Sequence, residues 1–216
     1  MPMDRDRTFW SLRAALAAFG LAIALLGAEV AKAQPGDVHG FRSAKFGLDE
    51  KAVRAAIEAD FSLAGKAVRV EENALEKTTA LIIEVPALEP GGKAQLAYIL
   101  GYQSKKLIQV NVIWGAPVNP AASADQLTGA AVLLRNYFAE QPFPADRRLQ
   151  DQRLPDGSAL FFQGVDPQGR QVSLILFTGS ASAKAGEKPS PVYSLRLSYM
   201  ADPRTPDVYR LKAGSF

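Results

Sequence analysis

The chain has 216 residues, 25 Lys and Arg against 22 Asp and Glu, no cysteine and one histidine. Missing thiols exclude disulfides, zinc knuckles, iron–sulfur clusters, thiol nucleophiles and lipid-modified cysteine anchors. The lone imidazole, His39, excludes a multi-histidine metal site and any catalysis that needs two such rings.

The first segment reads as an address. Arg5, Arg7 and Arg13 precede a fifteen-residue apolar run, Ala14–Ala28, and Ala31-Lys32-Ala33 forms a small-residue processing site. As a helix the run would span roughly 22 Å, short of a hydrocarbon core of about 30 Å. Residues 1–33 are therefore read as a secretory signal peptide cleaved before Gln34, which places the protein in the periplasm with no transmembrane span after cleavage. Asp6 separates Arg5 from Arg7, so there is no twin-arginine pair and the general export route is expected. The leader holds four basic and three acidic residues, leaving a mature excess of two positive charges. That small excess, with no basic stripe interleaved by aromatics, argues against nucleic acid as a partner.

Beyond the leader, Asp49 suits a helix N-cap, with Glu50 in the first turn. Val53, Ala56, Ile57 and Phe61 then recur at helical spacing, and Lys51, Arg54 and Glu58 face away. Strand signals follow at Thr79–Leu88, Ala94–Tyr102 and Leu107–Trp114. In the last of these Ile108, Val110, Val112 and Trp114 alternate with Gln109 and Asn111. A second helix opens at Ser123 with Gln126 three residues on, a capping-box pattern. Its apolar stripe is Leu127, Ala130, Ala131, Leu134 and Phe138, and Pro142 stops it. Three more strands are expected at Ala159–Val165, Gln171–Thr178 and Val192–Met200.

Both halves run helix, then three strands, with a turn at Pro90-Gly91-Gly92 matched by Asp166-Pro167-Gln168-Gly169. The spacing predicts two tandem α-β-β-β units, residues 34–115 and 123–216, joined by a linker at 116–122. The longer second unit takes its extra residues in the low-complexity loop Gly179–Pro191. The expected architecture is α+β, about six antiparallel strands with two helices on one face; Phe41–Ala44 or Val68–Val70 would supply an added edge strand.

Catalytic patterns are missing. There is no G-x-S-x-G elbow, no S-x-x-K, no phosphate-binding loop and no calcium loop, and His39 sits in a glycine-rich stretch that reads as surface or linker. The expectation is no catalytic residue, no cofactor and no metal. Aromatic residues on strands (Tyr98, Tyr102, Trp114, Phe161, Phe162, Phe177, Tyr193, Tyr199) are read first as core, with Tyr102 and Trp114 left as binding candidates. Basic pairs at Lys105-Lys106 and Arg147-Arg148, with Arg153, Arg204, Arg210 and Lys212, offer a weak contact for an anionic surface or acidic partner. The candidate partner-binding set is thus Tyr102, Lys105, Lys106, Trp114, Arg147 and Arg148.

Phe46-Gly47-Leu48-Asp49-Glu50-Lys51-Ala52-Val53 resembles the opening motif shared by the SmpA/OmlA group of outer-membrane assembly lipoproteins and the β-lactamase-inhibitor-protein-like fold. The resemblance implies helices combined with antiparallel strands, often in tandem, and binding of protein partners. The chain lacks the anchoring cysteine of the lipoprotein group. The stretch Phe41–Trp114, through Leu96–Tyr102 and Lys105–Trp114, is also similar to an uncharacterised group of secreted alphaproteobacterial proteins, which implies a location and no activity. The leading expectation is a soluble periplasmic, non-enzymatic binding or scaffold protein that contacts an envelope protein, its oligomeric state open. A carrier of a small apolar ligand between sheet and helices is the alternative, and a carboxylate-based hydrolase the most distant one.

Overall fold

The structure is a computed structural model that describes residues 36–180, 190–211 and 214. The leader read at 1–33, the processing site before Gln34, Lys212 and most of the loop after residue 180 lie outside the described residues. Among the described residues, no helix is long and apolar enough to cross a membrane.

The fold is α+β. In chain order it comprises β1 (Gly40–Phe41), β2 (Ala44–Lys45), α1 (Glu50–Phe61), β3 (Arg69–Glu72), β4 (Thr79–Leu88), β5 (Gly92–Leu100), β6 (Leu107–Gly115), α2 (Ala124–Ala139), β7 (Arg148–Arg153), β8 (Ala159–Val165), β9 (Gln171–Ser180) and β10 (Pro191–Met200). Single 3-10 turns precede β3 and β7. The ten strands correct the expected six. Six of them are the predicted runs. Of the others, β3 is an edge strand overlapping the one expected at Val68–Val70, and β1 and β2, two residues each, flank the alternative at Phe41–Ala44; only β7 (RLQDQR), with charge and amide on both sides, carries no signal.

Eight strands form one antiparallel sheet in the order β3-β4-β5-β6-β10-β9-β8-β7. The stretches before and after α2 therefore meet at β6 and β10, where Leu195 lies opposite Trp114 and Leu197 opposite Val112. Registers continue the same face outward, Leu96 beside Val112 and Leu174 beside Leu197. On this face Leu81, Leu96, Tyr98, Val110, Trp114, Phe162, Leu174 and Leu195 are buried, in one cluster with Val53 and Ile57 of α1 and Leu127, Ala131 and Phe138 of α2. Both helices thus cover the same side of the sheet.

Their ends are fixed as their sequences require. The Asp49 carboxylate accepts from Ala52 N–H at 3.0 Å, and Ser123 and Gln126 form the full reciprocal capping box. Trp114 anchors the centre, its Nε1–H donating to the Leu88 carbonyl at 2.8 Å. Gly91 lies against the indole, where a Cβ would collide with the ring. Tyr98 is fully buried and its hydroxyl has no hydrogen-bond partner; burial, aided by the Asp60 charge, pushes its phenol far up.

Residues Gly36–Lys45 cross the core face as a strap. Val38 and Ala44 are buried, and Phe41 packs on Tyr199 with ring centres 5.7 Å apart. The strap is pinned from 128 residues away: Val38 N–H donates to the Asp166 carboxylate at 3.0 Å. Asp166 is fully buried and pairs with Arg170 at 2.7 Å, and Arg170 reaches His39 Nδ1 at 2.7 Å. A guanidinium only donates, so His39 Nδ1 accepts here. The residue read as a linker histidine is thus part of the strap's fastening.

Candidate interaction surface

Alternation dictates the opposite face. Between the buried core positions of the central strands stand Gln95, Ala97 and Ile99 (β5), Gln109, Asn111 and Ile113 (β6), Ser194, Arg196 and Ser198 (β10), and Ser173, Ile175 and Phe177 (β9). Register sets them in rows. One runs Gln163, Ser173, Ser198, Asn111, Ala97, and the next Leu160, Ile175, Arg196, Ile113, Gln95; of these Ser173, Ser198, Ala97 and Leu160 are buried and the others part-exposed. Among the described residues neither helix touches this side, since the buried residues of both sit in the cluster of the other face.

The chemistry of this open face is neutral. On β6, β8, β9 and β10 its only charged side chain is Arg196, which lies over the Phe177 ring at 4.5 Å; burial pulls its guanidinium down from its ordinary value. Gln109 Nε2 donates to Asn111 Oδ1 at 2.9 Å, which orients both amides. Farther out Lys93 and Glu84 cancel at 3.1 Å. The five central strands β5, β6, β10, β9 and β8, spaced by about 4.8 Å, with roughly seven residues each at about 3.3 Å, give a face on the order of 19 by 20 Å, or roughly 400 Å²; the outer strands β3 and β7 carry charge. A standard protein interface covers about 800 Å² per partner.

The sequence-predicted residues fall elsewhere. Tyr102, Lys105 and Lys106 lie in the turn between β5 and β6; Arg147 ends the 3-10 turn before β7 and Arg148 opens β7. The registers bring both groups to one end of the sheet, with the turn between β8 and β9 and the segment after β10. There Tyr102 stacks edge-on against Tyr209, ring centres 5.6 Å apart, with Lys77 Nζ 3.9 Å from the Tyr209 ring centre. Lys106 meets Asp49 at 3.5 Å, and Arg148 donates to the Ala139 carbonyl. Trp114 is 1% exposed, so the folded chain offers no indole surface to a partner. Its place on a strand was legible; which side of that strand the helices cover was not.

Asp207 holds this end together. Its carboxylate accepts from the N–H groups of Gln103 and Ser104 at 3.0 and 2.8 Å. Burial works to raise its carboxyl, but hydrogen bonds from Ser104 and Gln103 and the nearby Lys105 charge hold it below the ordinary range. Among the described residues no group of three or more His, Asp or Glu could hold a metal ion.

Compared with protein-family models, with curated proteins and with solved structures, the chain matches none.

Proposed function

We propose that this is an exported, soluble periplasmic binding protein without catalytic activity, which docks an envelope protein on the open face of its sheet. The observation that carries the reading is the composition of that face. Amides and isoleucines, with buried serines between them, form an uncharged central surface of about half the area of one standard interface, flanked by charge on the outer strands. Amides donate and accept at once, so such a surface suits a partner's uncharged polar patch better than a membrane or a nucleic acid.

The tandem organisation belongs to the same proposal. Each half runs helix, 3-10 turn, then four strands, and the halves mirror each other about the β6–β10 pair. Doubling a four-stranded unit would also double the docking area, which is a functional reason for the arrangement. The resemblance of Phe46–Val53 to partner-binding envelope domains points the same way.

Site-specific photo-crosslinking in cells tests the reading. A photoreactive residue at Asn111 or Ile113, both part-exposed, should give a discrete protein adduct, whereas one at Leu133, exposed on α2, should not. Equal adducts from both faces, or none from the sheet, would refute it. Mass spectrometry of the purified protein should find a mature N-terminus at Gln34; one far from it sinks the export route.

A further inference from the structure

We infer that the basic end of the sheet holds a binding site for a phosphate-bearing ligand, in a cleft framed by Arg147 and Arg204. This goes beyond the docking face and is independent of it. The cleft has a volume of about 360 Å³ and is built by three segments distant in sequence: the 3-10 turn before β7, the turn between β8 and β9, and the segment after β10.

Two internally satisfied aspartates set the arginines in place. Buried Asp166 spends its carboxylate on Val38 N–H, on Arg170 N–H and on the Arg170 guanidinium. Its carbonyl accepts from Arg147 at 3.3 Å, which fixes that side chain on one wall. Asp202, on the other wall, spends its carboxylate on the Thr205 hydroxyl and on the N–H groups of Thr205 and Arg204. Those bonds, the Thr205 hydroxyl foremost, and the nearby Arg204 charge hold its carboxyl below the ordinary range. Among the described residues neither Arg147 nor Arg204 has a carboxylate within ion-pair distance, although Asp202 lines the cleft and Asp146 adjoins Arg147.

Two guanidinium forks on one concavity match the tetrahedral oxyanion of a phosphate ester. The Gln168 side chain, whose carbonyl accepts from Arg170, keeps its amide N–H groups for a further oxygen. Val165 and Pro167 also line the cleft, leaving apolar wall for the organic part of the ligand. The same chemistry is offered by a soluble phosphate ester and by the headgroup of an anionic lipid.

Calorimetric titration of the purified chain with sn-glycerol 3-phosphate, and co-sedimentation with phosphatidylcholine vesicles with or without phosphatidylglycerol, test the site. Saturable binding in either arm is expected, weakening as salt rises. Arg147→Ala with Arg204→Ala should weaken it at least tenfold with only a small fall in the thermal midpoint, since both residues are exposed and, of the two, only Arg147 makes a side-chain bond within the described residues, to the Asp166 carbonyl. Arg204→Lys, which keeps the charge and loses the fork, should fall between. Binding only to the ester identifies a soluble ligand, and binding only to phosphatidylglycerol vesicles a lipid headgroup. No binding in either arm, or binding unchanged in the double variant, overturns the inference. Crosslinking from Asn111 is unaffected by either result, so this site and the docking face stand or fall separately.

Discussion

On β6 the residues Val110, Val112 and Trp114 are sealed beneath the helices, while Asn111 and Ile113, one step along the same chain, stand on the opposite face. The contrast repeats on β10, where Leu195 and Leu197 alternate with Arg196 and Ser198. The first face is aliphatic and aromatic, and its partners are inside the molecule. The second is as regular in geometry but mixes amides and serines with isoleucines around one arginine; neither described helix covers it, and its smaller residues Ser173, Ser198 and Ala97 are buried all the same. A helix-free face need be only polar enough to stay hydrated, for which scattered lysine and glutamate suffice. Uncharged amides and hydroxyls in rows leave it far less hydrated than charges would, and that is what an interface requires.

If the two faces divide stability from binding, substitutions should divide with them. Trp114→Ala should cost about 4 kcal/mol, since it empties the centre of the cluster and orphans the Leu88 carbonyl. Urea unfolding measures it, and a loss below about 1.5 kcal/mol would mean the helices are loosely packed on the sheet. Next comes Asp166→Ala, expected to cost about 3 kcal/mol, because it strands Arg170 and releases the strap across the core face. Hydrogen exchange should then rise first at Val38 and in the β1–β2 hairpin; uniform protection there would show that the strap is held by apolar contact alone.

The two layers differed in how far they could be foreseen. Local signals were sufficient where the physics is local. The caps at Asp49 and Ser123 lie where their side chains can reach N–H groups three residues on, and β6 alternates because one of its sides is buried against the helices. The strap carried no such signal. Its anchor is a backbone N–H at Val38 bound to Asp166, a pairing that no window of sequence contains. Nor could β7 be seen, since an edge strand with charge on both sides lacks a period. The candidate site suffered most. Tyr102, Lys105 and Arg147 stood out as aromatic or charged, whereas Gln109, Asn111, Ser173 and Ser198 looked like the bland side of a strand. They gain meaning only when three strands set them in one surface.

Within the core face, Tyr98 marks a local defect. A fully buried hydroxyl without a partner is destabilising, and phenylalanine keeps the ring while removing it. Tyr98→Phe should raise stability by about 1 kcal/mol, and a loss instead would mean that the hydroxyl finds a partner in solution. The sheet end offers a pH contrast to both faces. The Asp207 carboxyl is held low in the folded chain, so its stabilising effect is complete above the unfolded pKa of about 3.9 and lost as pH falls through the folded value. Asp207→Asn should therefore be less stable than the parent at pH 7, with the gap closing below about pH 4. Urea midpoints at pH 7, 5 and 3 measure this, and a gap independent of pH would assign the effect to shape rather than charge.

The smallest change in stability should come from the open face, where the comparison is sharpest. Asn111 lies one residue from Val112, yet Asn111→Ala removes only a half-exposed amide and its bond from Gln109. The cost should stay within about 0.5 kcal/mol, the worth of one neutral hydrogen bond in a site that water can reach. The same substitution should deplete the crosslinked adduct formed from Ile113, its part-exposed neighbour on the same face of β6. A variant that folds as well as the parent but loses the partner would tie binding to the amide itself. A variant that keeps the partner would move the docking site off the centre of the sheet, because Asn111 and Ser198 stand side by side in the middle of the longest neutral row.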